Sequence, residues 1–398
     1  MALLAGCGGG GGSPSSPSVS PAATPGTNTG ASPAENVLAI SVNRGPARSI
    51  NLPFASITIC APGSTSNCQI VGGILVDTGS TGLRIVSSVL TTVTGLPQQN
   101  DASGNPIVEC AQFADGFSWG PVKLADVKMA GEQASSLPIQ IIGDPAFTAI
   151  PTNCSNTGRP RNSVSALGAN GILGIGALLH DCGSACTVSS SPGIYYVCPP
   201  SGCQPVVRAL ADQLPNPVSL FANDNNGVLL QLPAVPPTGS ASVDGALIFG
   251  IGTRGNNALG TAQVFTLNSS AQITTFYKGL TLAHSFFDSG SNALFFQDTS
   301  ITACTSSTAR GFYCPPSTQN LSATIQGANG MNANINFDVA NADSLLQSGF
   351  TAFNNLGSPL STSAAFDWGL PFFFGRNVFV AIQDASVTGA PAGPFIAF

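Results

Sequence analysis

The chain has 398 residues, long enough for two lobes with substantial cores. Only 8% of them are charged, 12 Lys and Arg against 18 Asp and Glu for a net charge of −6; such a chain has no basic stripe for a phosphate backbone, which argues against nucleic acid as a partner. Its 46 glycines and 30 prolines, set among short runs of Val, Ile, Phe and Thr, predict a mostly β protein with frequent turns.

Residues 1–35 read as a tether. Leu4-Ala5-Gly6-Cys7 resembles the lipobox of bacterial lipoproteins, whose cysteine is lipidated and becomes the new N-terminus. Gly8 to Gly12 and the Ser/Pro/Thr/Ala-rich run to Pro33 cannot bury a core. A signal peptide begins with basic residues and a longer apolar run. Neither precedes Cys7, so either the sequence starts inside such a leader, the favoured reading, or Cys7 is incidental.

Beyond the tether, Ile74-Leu75-Val76-Asp77-Thr78-Gly79-Ser80 is an apolar strand that ends in an aspartate turn. Phe286-Phe287-Asp288-Ser289-Gly290-Ser291 repeats the device 211 residues later. A later apolar run with glycine follows each copy, Gly171-Ile172-Leu173-Gly174-Ile175-Gly176 after the first and Phe372-Phe373-Phe374-Gly375 after the second, so two halves carry the same parts in the same order. Between them, Val206, Val207, Leu210, Ala211 and Leu214 recur at helical spacing before Pro215 and predict a helix over 206–214. Gly250-Ile251-Gly252-Thr253-Arg254-Gly255 spells a dinucleotide-binding glycine pattern, but no amphipathic helix or suitably spaced acid follows, so it is read as a turn. Neither His180 nor His284 has the context of a serine triad, and His284 is read as a strand residue.

Setting Cys7 aside leaves ten cysteines, an even number suited to five disulfides and to export. Short spacings pair Cys60 with Cys68, Cys182 with Cys186, Cys198 with Cys203 and Cys304 with Cys314, which leaves Cys110 with Cys154; pairing among Cys182 to Cys203 stays open. Structural zinc is the competing use of clustered cysteines, with His180 beside Cys182 as a further ligand, although the spacings are not of the paired Cys-x-x-Cys kind.

The repeated aspartates point to one chemistry. Two carboxyls at hydrogen-bonding distance cannot both ionise cheaply, so they hold one proton between them. One is then a base and the other an acid toward a water that attacks a carbonyl, with no covalent intermediate, metal or cofactor. Glycine lets the backbone turn tightly beside each aspartate, and Ser80 and Ser291 are placed to bond and orient the carboxylates.

In these residues the chain resembles the pepsin-like (A1-type) aspartic proteases, and with its lipobox it resembles a bacterial lipoprotein member of the pepsin/retropepsin-like superfamily. Gly227-Val228-Leu229-Leu230, Gly245 to Gly250, Val378 to Ile382 and Phe395 to Phe398 fall in family order, so the likeness covers residues 36–398. The resemblance implies a bilobal fold with an internal pseudo-two-fold duplication, an N-terminal lobe over 36–255 with the first aspartate loop and a flap, and a C-terminal lobe over 256–398. It implies Asp77 and Asp288 as catalytic residues, supported by Thr78, Gly79, Ser80, Ser289, Gly290 and Ser291. The expected activity is that of an aspartic endopeptidase on a peptide or protein substrate, acting as a monomer, exported, and touching a membrane only through a lipid anchor at Cys7.

Departures from the family fall on substrate-facing positions. Arg84 stands where a Trp is usual, and Phe113, in Gln112-Phe113-Ala114-Asp115-Gly116, stands at the flap tip in place of Tyr; Trp119 close behind is a candidate to cover the cleft. Family members often restrain themselves with a basic pro-segment, but residues 1–35 contain no Lys or Arg, so none of that kind is expected within them. The alternative reading is a weak or inactive pepsin-fold envelope protein that binds a peptide, protein or glycan.

Overall fold

The computed structural model describes residues 35–360, 362 and 364–398. Cys7 and nearly all of the tether therefore lie outside the described residues. From residue 34 onward the chain clusters as one unit, mostly β and built on two sheets of fifteen and seven strands.

The larger sheet draws on both halves of the sequence. Its middle runs in the order Thr81–Val86, Gly171–Ile175, Cys68–Asp77, Pro53–Cys60, Val37–Val42, Val243–Phe249, Gly227–Leu232, Arg376–Ala381. The runs at 227–230, 245–250, 378–382 and 395–398 thus all contribute strands to one sheet. The smaller sheet uses only strands between Ile273 and Trp368. It supports the second aspartate strand, Leu280–Phe287, through a block of aromatics: Phe366 stacks on Trp368 at 4.0 Å between centroids, and Trp368 lies parallel to Phe287 at 6.3 Å. The indole N–H of Trp368 donates to the Thr275 hydroxyl at 3.1 Å, so this large ring is buried without an orphan donor.

All five disulfides read from spacing are present, including Cys182–Cys186 and Cys198–Cys203, where the pairing was open. Cys182, beside His180, is thereby committed to sulfur. Cys110–Cys154 spans 44 residues and ties the strand Ile107–Phe113 to the short helix Thr152–Ser155. Loop-closure entropy makes this the most stabilising link: serine at both positions is expected to cost about 4 kcal/mol, against about 2.5 kcal/mol for Cys60–Cys68, whose separation is 8. Urea midpoints of the two double-serine proteins check the order.

The helix expected over 206–214 does not form. The stretch holds only the 3-10 turn Leu210–Asp212. Its backbone groups are engaged elsewhere, with Val206 N–H donating to Tyr195 O, Arg208 N–H to Cys186 O and Leu214 N–H to the Tyr195 hydroxyl. Val207 and Leu210 are exposed, so their spacing marks no buried helix face. Gly250–Gly255 is a turn, as read, with Gly250 at φ +82° and Arg254 Nε donating to Asp224 at 2.6 Å.

Candidate active site

Each aspartate ends an apolar strand whose next residues fold back to bind its side chain. Asp77 Oδ1 accepts the Gly79 amide at 2.8 Å, and Oδ2 accepts the Ser80 hydroxyl at 2.5 Å. Asp288 repeats this, its Oδ1 accepting the Gly290 amide at 2.7 Å and its Oδ2 the Ser291 hydroxyl at 2.8 Å.

The two loops are cross-linked through their middle residues. Ser289 Oγ donates to Val76 O at 2.8 Å and accepts the Thr78 amide at 3.1 Å. Thr78 Oγ1 donates to Phe287 O at 3.2 Å and accepts the Ser289 amide at 2.9 Å. Serine in place of threonine in the second triplet therefore keeps the full exchange. The glycines are required by closeness: a Cβ on Gly79 would stand 2.5 Å from the Asp288 carboxyl carbon, and one on Gly290 would stand 2.8 Å from Asp77 Oδ1.

Beneath the first loop runs the strand Gly171–Ile175, parallel to Cys68–Asp77 with Asp77 opposite Gly174, as the glycine run implied. The second half needs a correction. The strand beneath Asp288 is Asp367–Trp368, parallel to Leu280–Phe287, and Asp288 N–H donates to Trp368 O at 3.1 Å. Gly369 then takes the place of Gly174, since a Cβ there would meet Ala293 O at 2.0 Å. Phe372-Phe373-Phe374-Gly375 instead leaves a 3-10 turn, Leu370–Phe372, whose Pro371 has no amide for a ladder.

Asp77 is buried and Asp288 partly buried. Burial, then the charge on Asp77, then that on Asp367 push the Asp288 carboxyl well above the usual carboxylate range, with a hydrogen bond to Asp77 adding to the rise. Burial and neighbouring negative charge thus favour the protonated form of Asp288.

A cavity of about 310 Å³ opens beside the loops, bounded by Thr78 to Thr81 on one side and Phe286 and Phe287 on the other. Phe113 lines it from the tip of the hairpin formed by Ile107–Phe113 and Gly116–Met129. That tip is held down, because Asp115 pairs with Arg161 and Phe117 N–H donates to Arg159 O. Alternation along the hairpin puts Glu109, Ala111 and Phe113 on the cavity side. Trp119 lies opposite Cys110 on the other face, T-stacked on Tyr196 with its indole N–H on Phe147 O. It is buried and does not cover the cleft.

Arg84 does line the cavity, as part of a buried network. It bonds Glu109 at 2.5 Å and Thr81 O at 2.8 Å, and lies 3.5 Å from Asp181 and 5.9 Å from the Phe113 ring centre. Tyr195 donates to Asp181 at 2.8 Å. Burial, then Glu109, push Asp181 well above the carboxylate range, and Arg84 opposes them. Glu109 and Asp181, which line the cavity, Tyr195, which donates to Asp181, and Asp367, in the strand beneath Asp288, are neighbours that sequence reasoning missed. Only Asp367 had a local signal, in Asp367-Trp368-Gly369.

No curated protein matches the chain. Among solved structures, an aspartic proteinase from Irpex lacteus is similar over 91% of this chain and 96% of that one, at 13% identity and a TM-score of 0.48. The family model described as "Protein of unknown function (DUF3443)" matches residues 32–398, and the chain belongs to that family.

Proposed function

We propose that the protein is an aspartic endopeptidase that hydrolyses peptide bonds with a water activated by Asp77 and Asp288. One observation carries the reading: two carboxyls 211 residues apart are brought so close that a Cβ on either loop's glycine would strike the other loop's carboxyl, and each is oriented by the amide and hydroxyl of its own loop. In the step this supports, Asp77 takes a proton from water as the oxygen bonds to the peptide carbonyl carbon, and Asp288 gives its proton to the carbonyl oxygen. The tetrahedral diol then collapses as a proton passes to the departing amine and the C–N bond breaks.

Phe113 favours a second reading, because a phenylalanine at the hairpin tip has no hydroxyl to donate to a substrate. On that reading the cleft binds a peptide, protein or glycan without turnover. Purified protein incubated with a diverse peptide library from acid to neutral pH decides between them. Cleavage blocked by a tetrahedral-hydroxyl mimic and untouched by chelators is the expected result; a folded protein that binds peptides and cleaves none refutes the endopeptidase.

The five disulfides support export to an oxidising space, and we extend the proposal to a lipid anchor on Cys7 in the bacterial cell envelope. Cell fractionation with mass analysis of the N-terminus tests the anchor; an unmodified cytoplasmic protein with free thiols would rule it out.

A further inference from the structure

A third buried carboxyl, Asp367, stands in the strand beneath the second aspartate loop. Asp367 is only 5% exposed. Its backbone is fixed on both sides, opposite Phe286 in one strand and Phe295 in the other. Its neighbours Phe366 and Trp368 are fully buried and pack the aromatic block. An apolar side chain would suit this position, yet it holds an acid whose Oδ1 is buried without a hydrogen-bond partner. Leaving a polar atom that way is costly unless something else uses it.

The groups around it are acidic or neutral. Asp367 lies opposite Phe286, two residues before Asp288, the spacing that puts side chains on one face of the sheet, and the next residue, Trp368, accepts the Asp288 amide. On the adjoining strand, His284 is exposed with Nδ1 3.0 Å from Gln272. Past the other strand, Asp298 is occupied by Tyr277, Lys278 and Ser300. Among the described residues, no Lys, Arg or His forms an ion pair with Asp77, Asp288 or Asp367.

We propose that Asp367 is a third carboxyl of this centre, a positioning residue that acts on Asp288 across Ser291 and sets the pH at which the dyad gives up its last proton. The inference rests on the dyad reading above. Two links connect the groups. Ser291 has a single hydroxyl proton, now donated to Asp288 Oδ2 at 2.8 Å, so an ionised Asp367 competes with Asp288 for it. Negative charge on Asp367 also makes removal of the Asp288 proton more expensive, and the reverse holds equally, so the neighbouring carboxyls resist ionising together and give up their protons as one coupled group. The one-proton dyad, the form able to work, therefore persists to higher pH than an isolated pair would allow.

The test is Asp367→Asn, which keeps the shape and removes the charge. Its basic limb in kcat/KM against pH should fall by at least about half a pH unit with the plateau retained. Carbon-13 carboxyl spectra should show the Asp288 titration moving by the same amount, a readout that needs no turnover. A profile and an Asp288 titration that both stay in place overturn the proposal. Should Asp367→Asn fail to fold, Asp77→Asn decides, since removing the Asp77 charge must lower the titration of Asp367; an unmoved Asp367 resonance overturns it. A wild type that cleaves nothing would end the endopeptidase reading and leave these carboxyl titrations to judge Asp367.

Discussion

Asp77→Asn and Asp288→Asn proteins are expected to fold and to lose about 10²- to 10⁴-fold in kcat, the usual worth of a positioned general acid or base. Asparagine keeps the shape and most hydrogen bonds of each loop, while the exchange between Thr78 and Ser289 that joins the loops uses no carboxyl atom. The wild-type profile should be bell-shaped, because the doubly protonated and doubly ionised pairs are both incompetent. Stability separates this from simple damage. The folded Asp288 carboxyl binds its proton more tightly than the unfolded one does, so its contribution is full below the unfolded value of about 3.9 and is lost as pH rises toward the folded value. Asp288→Asn removes that loss. Its melting temperature should match or exceed the wild type at neutral pH and lose the advantage in acid. A variant that keeps full turnover, or one that is inactive because it is unfolded at every pH, refutes this account.

The dyad was legible because both copies are local: seven consecutive residues in the first and six in the second specify strand, acid, glycine turn and orienting hydroxyl. Disulfide partners were legible for a related reason, four of the five separations being ten residues or fewer. The strand under Asp288 was missed because Phe372-Phe373-Phe374-Gly375 fits an apolar-glycine pattern better than Asp367-Trp368-Gly369 does. The ionisable Asp367 is what spoils the local apolar pattern. The helix at 206–214 failed where periodicity was outweighed by tertiary bonds to Tyr195 and Cys186. The Arg84 network had no local signature, since Glu109 and Asp181 lie 25 and 97 residues from Arg84.

Arg84→Met is expected to lower unfolding free energy by about 3–5 kcal/mol, the cost of leaving a buried charge without its partner. The side chains of Arg84 and Glu109 are 4% and 0% exposed and meet at 2.5 Å, so losing the guanidinium strands a carboxylate that is almost wholly withdrawn from bulk solvent. Even the intact pair is imperfectly satisfied, because Arg84 Nε and Glu109 Oε2 have no partners. Its net worth should therefore be far smaller than the cost of breaking it. Arg84→Met combined with Glu109→Leu should recover most of the loss, since apolar replacement of both partners removes the stranded charge. Urea unfolding of the two single variants and the double completes the cycle. The ion pair also joins the strand after the first aspartate to the hairpin that carries Phe113, so the double variant should recover stability more fully than it recovers peptide affinity. A double variant that is no more stable than Arg84→Met would show that packing of the long arginine stem, rather than the stranded charge, sets the cost.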